Sequence, residues 1–316
     1  MVDMKVENDG MKKAQPVISY FALFDGHNGY EVAECLKESL HNYIINDNIF
    51  NNPVNSILEG FTKAESLVLN KMNNNIINSS CGSCALISVL IDDICHVANL
   101  GSSKGFISLN FGKRIYNLIE QHKTYSIGGN VSSMMKYNAR SSLTRSIGDI
   151  DFKFKGEQST MTAIPDVVSF KIHPEMDFIV LASDELFDVL TNKEIVIIVI
   201  NICIDGIKQN KSFTTLLTEI SKGLIKEALD RSAKDNLSCI FMCFDNLYKS
   251  YLSKDEKSLK AALSKLGMKN DYEKLYDDLL NKNIYETPVI SDKKMEKNKE
   301  KKEKKGFFFR CCGIFN

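Results

Sequence analysis

Two spacings of apolar residues run through the chain, a period of two that predicts strands and a period near 3.6 that predicts helices. From Tyr20 to Phe24 every residue is apolar or aromatic, and the run stops at Asp25-Gly26, where glycine permits a tight turn. This pattern predicts a short buried strand with a carboxylate at its end. The arrangement recurs twice. Phe178–Ala182 is a second apolar run, ending at Ser183-Asp184 with Asp188 four residues on, and Asp235-Asn236 stands immediately before a third strand candidate, Leu237–Phe244. Ala85–Ile91 and Cys95–Asn99 predict a hairpin turning at Asp92-Asp93.

The helical spacing fills most of the rest. Val32, Leu36, Leu40, Tyr43 and Ile44 fall on one face, as do Ile57, Phe61, Val68 and Met72. The longest apolar run, Ile195 to Ile204, has ten residues and includes Asn201. That is far short of the ~20 needed to span a bilayer. It reads as a buried helix, begun by the Thr191-Asn-Lys-Glu194 capping box. Phe213 to Arg231 is helical again, with Phe213, Leu216, Leu217, Ile220 and Leu224 on one face. Ser253-Lys-Asp-Glu256 predicts another capping box, followed by Leu259, Leu263, Leu266 and a stop at Gly267. A further helix would carry Tyr272, Leu275, Tyr276 and Leu279. This helix pair either packs on the body or binds a partner. The pattern gives strands paired in sheets with helices outside.

Composition narrows the class. The chain has 316 residues, 44% of them hydrophobic and 25% charged, as in a soluble globular protein. A formal net charge of zero points to no nucleic-acid partner. The nine cysteines lack the dense spacing of a secreted disulfide scaffold, and the first nineteen residues hold no long apolar core, so the expectation is a reducing, cytoplasmic setting. Cys81 and Cys84 have the spacing of half a zinc site, with no second pair nearby to complete it.

Three carboxylates at strand ends, far apart in sequence, suit a hard-cation site in which oxygen ligands hold Mg²⁺ or Mn²⁺. Here the chain resembles the metal-dependent type 2C (PPM-type) protein serine/threonine phosphatases. Phe24-Asp-Gly-His27 is similar to that family's first Asp-Gly-His box, and Ser142–Asp149 to its Ser-Arg-Ala-(Ile/Leu)-Gly-Asp box. Leu181–Asp188 resembles Leu-Ala-Ser-Asp-Gly-Leu-Trp-Asp, and Lys234-Asp-Asn236 resembles Arg-Asp-Asn. The resemblance runs from about residue 17 to about 245, in the family's order, and Gln121-His-Lys123 and Ile127-Gly-Gly129 are similar to lesser landmarks.

The resemblance implies an α+β fold of two stacked antiparallel sheets flanked by helix pairs. It also implies hydrolysis of phosphoserine or phosphothreonine in a phosphoprotein substrate by water activated between two metal ions. Asp25 would bridge both ions, the Gly26 carbonyl would bind one, and Asp184 and Asp235 would complete the other. Asp188 belongs to a third metal site. His27 would be the general acid for the leaving alkoxide, a role imidazole suits near neutral pH. Arg145 and Asp149 are expected to hold loops rather than touch substrate.

The chain departs from the family at several points. No Arg and no Glu-Asp pair precede Asp25, where members carry a phosphate-gripping Arg and a metal-contacting pair. Ser102 stands where the third metal site expects Asp, which weakens that site. Glu185 replaces the glycine after Asp184, either as a further ligand or as an obstruction. Two readings follow: a Mg²⁺/Mn²⁺-dependent phosphatase with a reduced site, or a pseudophosphatase that keeps the fold to bind or regulate.

The expected organisation is a phosphatase-like domain over 1–247, an appended helical segment over 248–285 and a basic disordered tail over 286–316. Residues 291 to 316 hold nine Lys or Arg against four Asp or Glu and include Cys311-Cys312. A polybasic run with S-acylation at Cys311 and Cys312 would make two signals for peripheral attachment to an anionic membrane surface. The alternative is a solvated tail with incidental cysteines.

Overall fold

A computed structural model describes residues 2–4, 16–122, 143–153, 161–266 and 310–312. The predicted helix around Tyr272–Leu279, residues 123–142 and most of the basic tail lie outside them. The first sheet has the order β1 (Val2–Met4), β2 (Ile18–His27), β3 (Gly82–Ile91), β4 (Ile94–Leu100) and β8 (Asp166–Lys171), with the short β7 (Ile147–Gly148) also pairing with β3. The second has the order β11 (Arg310–Cys312), β10 (Cys239–Cys243), β9 (Met176–Ala182), β5 (Lys104–Leu109) and β6 (Arg114–Ile119). All pairs between these strands are antiparallel.

Strand alternation builds the layers. On β9, Ile179 and Leu181 face the first sheet, joined by Ile240 and Met242 of β10 and by Phe21, Leu23, Leu86, Leu90 and Val97 of the other sheet. The intervening residues Phe178, Val180, Ala182, Cys239 and Phe241 face outward against helices. These are α4 (Asp184–Val189), α5 (Asn192–Lys208), α6 (Phe213–Asp230), α7 (Asp245–Leu252) and α8 (Glu256–Leu266). On the other side, Ala85, Ile87 and Val89 of β3 meet Val32, Leu36, Leu40 and Ile44 of α1 (Glu31–Ile44) and Ile57, Phe61, Ala64 and Val68 of α2 (Pro53–Asn73), and the short α3 (Ile150–Lys153) follows β7. The result is the expected α+β arrangement of helices, sheet, sheet and helices, with three apolar seams between four layers.

The helix starts follow their side chains. At α5 the box predicted from sequence forms in full: Thr191 Oγ1 accepts from Glu194 N at 3.3 Å and Glu194 Oε2 accepts from Thr191 N at 2.8 Å. Asn52 caps α2 with Pro53 at its first position, and Ser212 caps α6. The predicted box at Ser253 does not form. Ser253 instead ends α7, and Asp255 caps α8 by accepting from Ser258 N at 3.1 Å. Leu259 and Leu266 of α8 are buried in the same cluster as α5 and α6, so this helix packs on the body. The backbone of Arg310–Cys312 pairs with β10, so part of the tail expected to be disordered forms an edge strand.

One buried carboxyl ties the second sheet to its helices far from the strand ends discussed below. Asp177 is fully buried; its oxygens accept from Ser108 Oγ at 2.8 Å, Phe111 N at 2.6 Å and Asn246 Nδ2 at 2.7 Å. Burial pushes this carboxyl up to about 7 against the pull of those hydrogen bonds. A group that keeps its proton to higher pH in the folded chain than in the unfolded one stabilises fully at low pH, and that stabilisation is lost as pH rises through the folded value. The wild type should therefore lose stability relative to Asp177→Asn between about pH 5 and about pH 8, by roughly 2–3 kcal/mol in urea unfolding. Parallel curves for the two proteins would mean that the buried carboxyl is already ionised across that range.

Candidate metal centre and active site

The strand-end carboxylates meet where the two sheets come together. Asp25 and His27 are two residues apart on β2 and share the face that carries Phe21 and Leu23 toward the other sheet. Asp25 pairs across the ladder with Cys84, Gly26 with Ser83 and His27 with Gly82. On the second sheet, β9 ends at Ala182, and Ser183 in extended backbone turns the chain into α4, whose first two residues are Asp184 and Glu185. Ser183 also ties this turn to the loop before β10: its N donates to Ser238 O at 3.0 Å, and its Oγ accepts from Ser238 N at 3.3 Å.

Carboxylate oxygens of Asp25, Asp184 and Glu185 lie within 4.8 Å of one another, and among the described residues this is the only group of three or more acidic, His or Cys ligands so close. Glu185 is pushed up to about 8, first by burial and then by its hydrogen bond to Asp184 and the charges of Asp184 and Asp25. Its Oε2 is buried and has no hydrogen-bond partner. Like charges at this spacing repel unless a cation or a proton lies among them, and an all-oxygen acidic donor set suits a hard divalent ion. The residues present therefore fit a Mg²⁺- or Mn²⁺-type cation.

The other expected ligands stand apart from this group. Asp188 is exposed on α4. Asp235 is exposed, and its Oδ1 accepts from the backbone of Asn236 at 2.8 Å. Ser102 is buried beside Cys84, with Oγ 3.5 Å from Cys84 Sγ and its backbone oxygen accepting from Gln121 at 2.5 Å. Cys84 in turn faces Asp25 across the ladder and feels the charges of both Asp25 and Asp184, which, after burial, help hold its thiol up at about 12. Lys104 pairs with Ala182, so the 101–103 loop borders the Asp184 turn.

His27 has a partner that sequence alone did not supply. Its Nε2 lies 2.8 Å from Oδ2 of Asp149, which is 98% buried and also accepts from Ser146 Oγ at 2.5 Å. An ionised carboxylate only accepts, so the neutral imidazole carries its proton on Nε2 and its lone pair on Nδ1. This contact depends on Gly82, because a Cβ there would sit 2.1 Å from Asp149 Oδ2 and 2.3 Å from His27 Nε2. Gly82 pairs with His27 on one side and with Gly148 on the other, so the small strand β7 delivers Asp149 to the histidine.

A buried ion pair secures β7. Lys153 Nζ contacts Glu65 Oε1 at 2.5 Å and Ser146 O at 2.8 Å, and Glu65 Oε2 accepts from Gly148 N at 2.9 Å. Arg145 holds loops, as its motif implied: it donates to Ile164 O at 3.0 Å and Asp166 Oδ1 at 2.6 Å. His122 accepts from Gly101 N on Nδ1 at 3.1 Å and meets Asp166 with Nε2 at 2.9 Å, which steadies the loop carrying Ser102. Burial raises the Asp166 carboxyl, but the hydrogen bonds from His122 and Arg145 outweigh it and leave a net downward shift. The seven cysteines from Cys35 to Cys243 are free and buried.

Comparison with known proteins agrees with this architecture. The chain is 28% identical over 239 residues to the probable protein phosphatase 2C 28 of Arabidopsis thaliana, covering 72% of this chain and 64% of that protein. It is 26% identical over 262 residues to protein phosphatase 1A of Bos taurus, covering 75% and 65% respectively. The chain thus spans just under two thirds of the length of these relatives. The fold matches a crystal structure of a phosphatase from a pathogenic strain of Toxoplasma gondii with a TM-score of 0.55 at 15% identity, over 74% of this chain and 86% of that one. The model of the family described as protein phosphatase 2C matches residues 1–237, three quarters of the sequence and every element that builds the site, so the chain belongs to that family.

Proposed function

We propose that this chain is a Mg²⁺- or Mn²⁺-dependent protein serine/threonine phosphatase. The observation that carries the reading is the convergence of Asp25, Asp184 and Glu185 at the strand ends where His27 also stands, in a chain of this family. A divalent cation held by these carboxylates would acidify water and neutralise phosphate charge. Asp25 and Asp184 supply the anionic oxygens, and Gly26 follows Asp25 within β2, paired with Ser83. Asp149 fixes the tautomer and the plane of His27, so that in the protonated ring Nδ1–H is the proton offered to a leaving alkoxide. Asp25, His27 and Asp184 are all present in a chain of this family, which favours the active reading over a pseudophosphatase despite Ser102 and the missing Arg.

Purified protein should release phosphate from a phosphothreonine peptide when Mn²⁺ is added and stop when EDTA removes it. Asp25→Asn and Asp184→Asn should each lower that rate at least about a hundredfold, whereas His27→Gln should cut it by about 10²–10⁴ with Mn²⁺ binding retained. Full activity in Asp184→Asn would contradict the proposal.

Ser102 bears on how much metal the enzyme needs. Its place beside Cys84, under Asp25, means that a carboxylate there adds charge next to the existing group. Ser102→Asp is expected to raise the rate several-fold and to lower the Mn²⁺ concentration giving half the maximal rate, because hard-cation affinity follows ligand charge. An unchanged metal titration would separate this position from the centre.

The tail extends the proposal to location. Basic residues from Lys293 to Lys305 followed by Cys311-Cys312 support S-acylation and peripheral membrane binding. Cell fractionation should move Cys311→Ser/Cys312→Ser from the membrane to the soluble fraction, and equal membrane fractions for both forms would remove acylation from the account.

A further inference from the structure

Glu185 is the carboxylate at this centre that the family resemblance does not ask for. It follows Asp184 in the first turn of α4, and its oxygens lie within 4.8 Å of those of both Asp25 and Asp184. Oxygens on opposite sides of one octahedral Mg²⁺ are about 4.2 Å apart, twice the ordinary metal–oxygen bond, so three carboxylates at this spacing reach a common ion with little movement. A glutamate that merely obstructed the site has a flexible stem by which it can turn away from the two aspartates. Instead Oε2 is buried without a hydrogen-bond partner, an arrangement that costs free energy unless a ligand satisfies it.

The residues expected to supply the rest of the negative charge are engaged elsewhere. Ser102 offers only a hydroxyl, already beside Cys84 Sγ, and Asp235 is exposed with Oδ1 on its own neighbour Asn236. We propose that Glu185 is a metal ligand of this chain, so that Asp25, Asp184 and Glu185 form a three-carboxylate centre in which a charge missing at position 102 is regained at position 185. The proposal rests on the reading above that a divalent cation binds here, but not on turnover. It makes the chain's metal requirement depend on a residue that departs from the family motif, at the place where that motif has glycine.

Calorimetric titration of the full chain with Mn²⁺ tests it. Glu185→Gln, which keeps shape and removes charge, should weaken Mn²⁺ binding at least tenfold, and Glu185→Gly should do the same. In EDTA the melting temperature of Glu185→Gln should equal or exceed that of the wild type, because repulsion is relieved, which also shows that the variant folds. Unchanged or tighter Mn²⁺ binding in Glu185→Gln, with binding lost in Asp184→Asn, would overturn the ligand role and leave the phosphatase reading standing. Weakened binding in Glu185→Gln of a chain that hydrolyses no phosphopeptide would uphold the ligand and remove the enzyme. A wild type that binds no Mn²⁺ at millimolar concentration would overturn both.

Discussion

Mutual repulsion among three carboxylates is the constraint around which this molecule is arranged. Asp25 comes from one sheet and Asp184 and Glu185 from the turn that ends a strand of the other, so the two sheets can pack fully only if something neutralises what they bring together. Without a cation, burial and the neighbouring Asp184 and Asp25 push the Glu185 carboxyl up. With one, the same oxygens become its ligands. The apolar seam formed by Phe21, Leu23, Ile179, Leu181 and Ile240 supplies the rigidity that keeps these charges close. Hydrophobic burial thus underwrites an electrostatically unfavourable site.

The second half of the site is held by a different device. His27 gains its orientation from Asp149, 122 residues away, through a two-residue strand that is itself clamped by the buried Lys153–Glu65 pair. Taking either partner from such a pair leaves an uncompensated buried charge, so α2 is bound to the loop that presents Asp149. Gly82 lies between the two rows and must lack a side chain for imidazole and carboxylate to meet. The carboxylate group and His27 therefore rest on separate supports, one between the sheets and one between the first sheet and its helices.

Much of the fold was legible in the sequence because its signals are local. The runs Tyr20–Phe24, Phe178–Ala182 and Leu237–Phe244 became β2, β9 and β10, and the Thr191 box starts α5 as read. Asp25 and Asp184 were legible too, since each closes such a run. What local pattern could not supply was distance across the fold. Asp235 is exposed with Oδ1 on the backbone of Asn236 and lies outside the close carboxylate group, whereas Glu185 joins that group, which residue spacing alone left open between ligand and obstruction. Asp149 read as a loop tie, since nothing near it in sequence points to His27; only the pairing of Gly82 with both Gly148 and His27 joins them. Ser253 failed as a cap because the preceding helix runs on to Leu252, leaving the capping to Asp255.

A crystal of the full chain grown with Mn²⁺ and measured at the manganese absorption edge tests the central claim most directly, because it locates the cation without reference to catalysis. The account predicts an anomalous peak within metal–oxygen bonding distance of the carboxylates of both Asp25 and Asp184. A map with no peak between them, or with manganese bound only elsewhere on the surface, would contradict it.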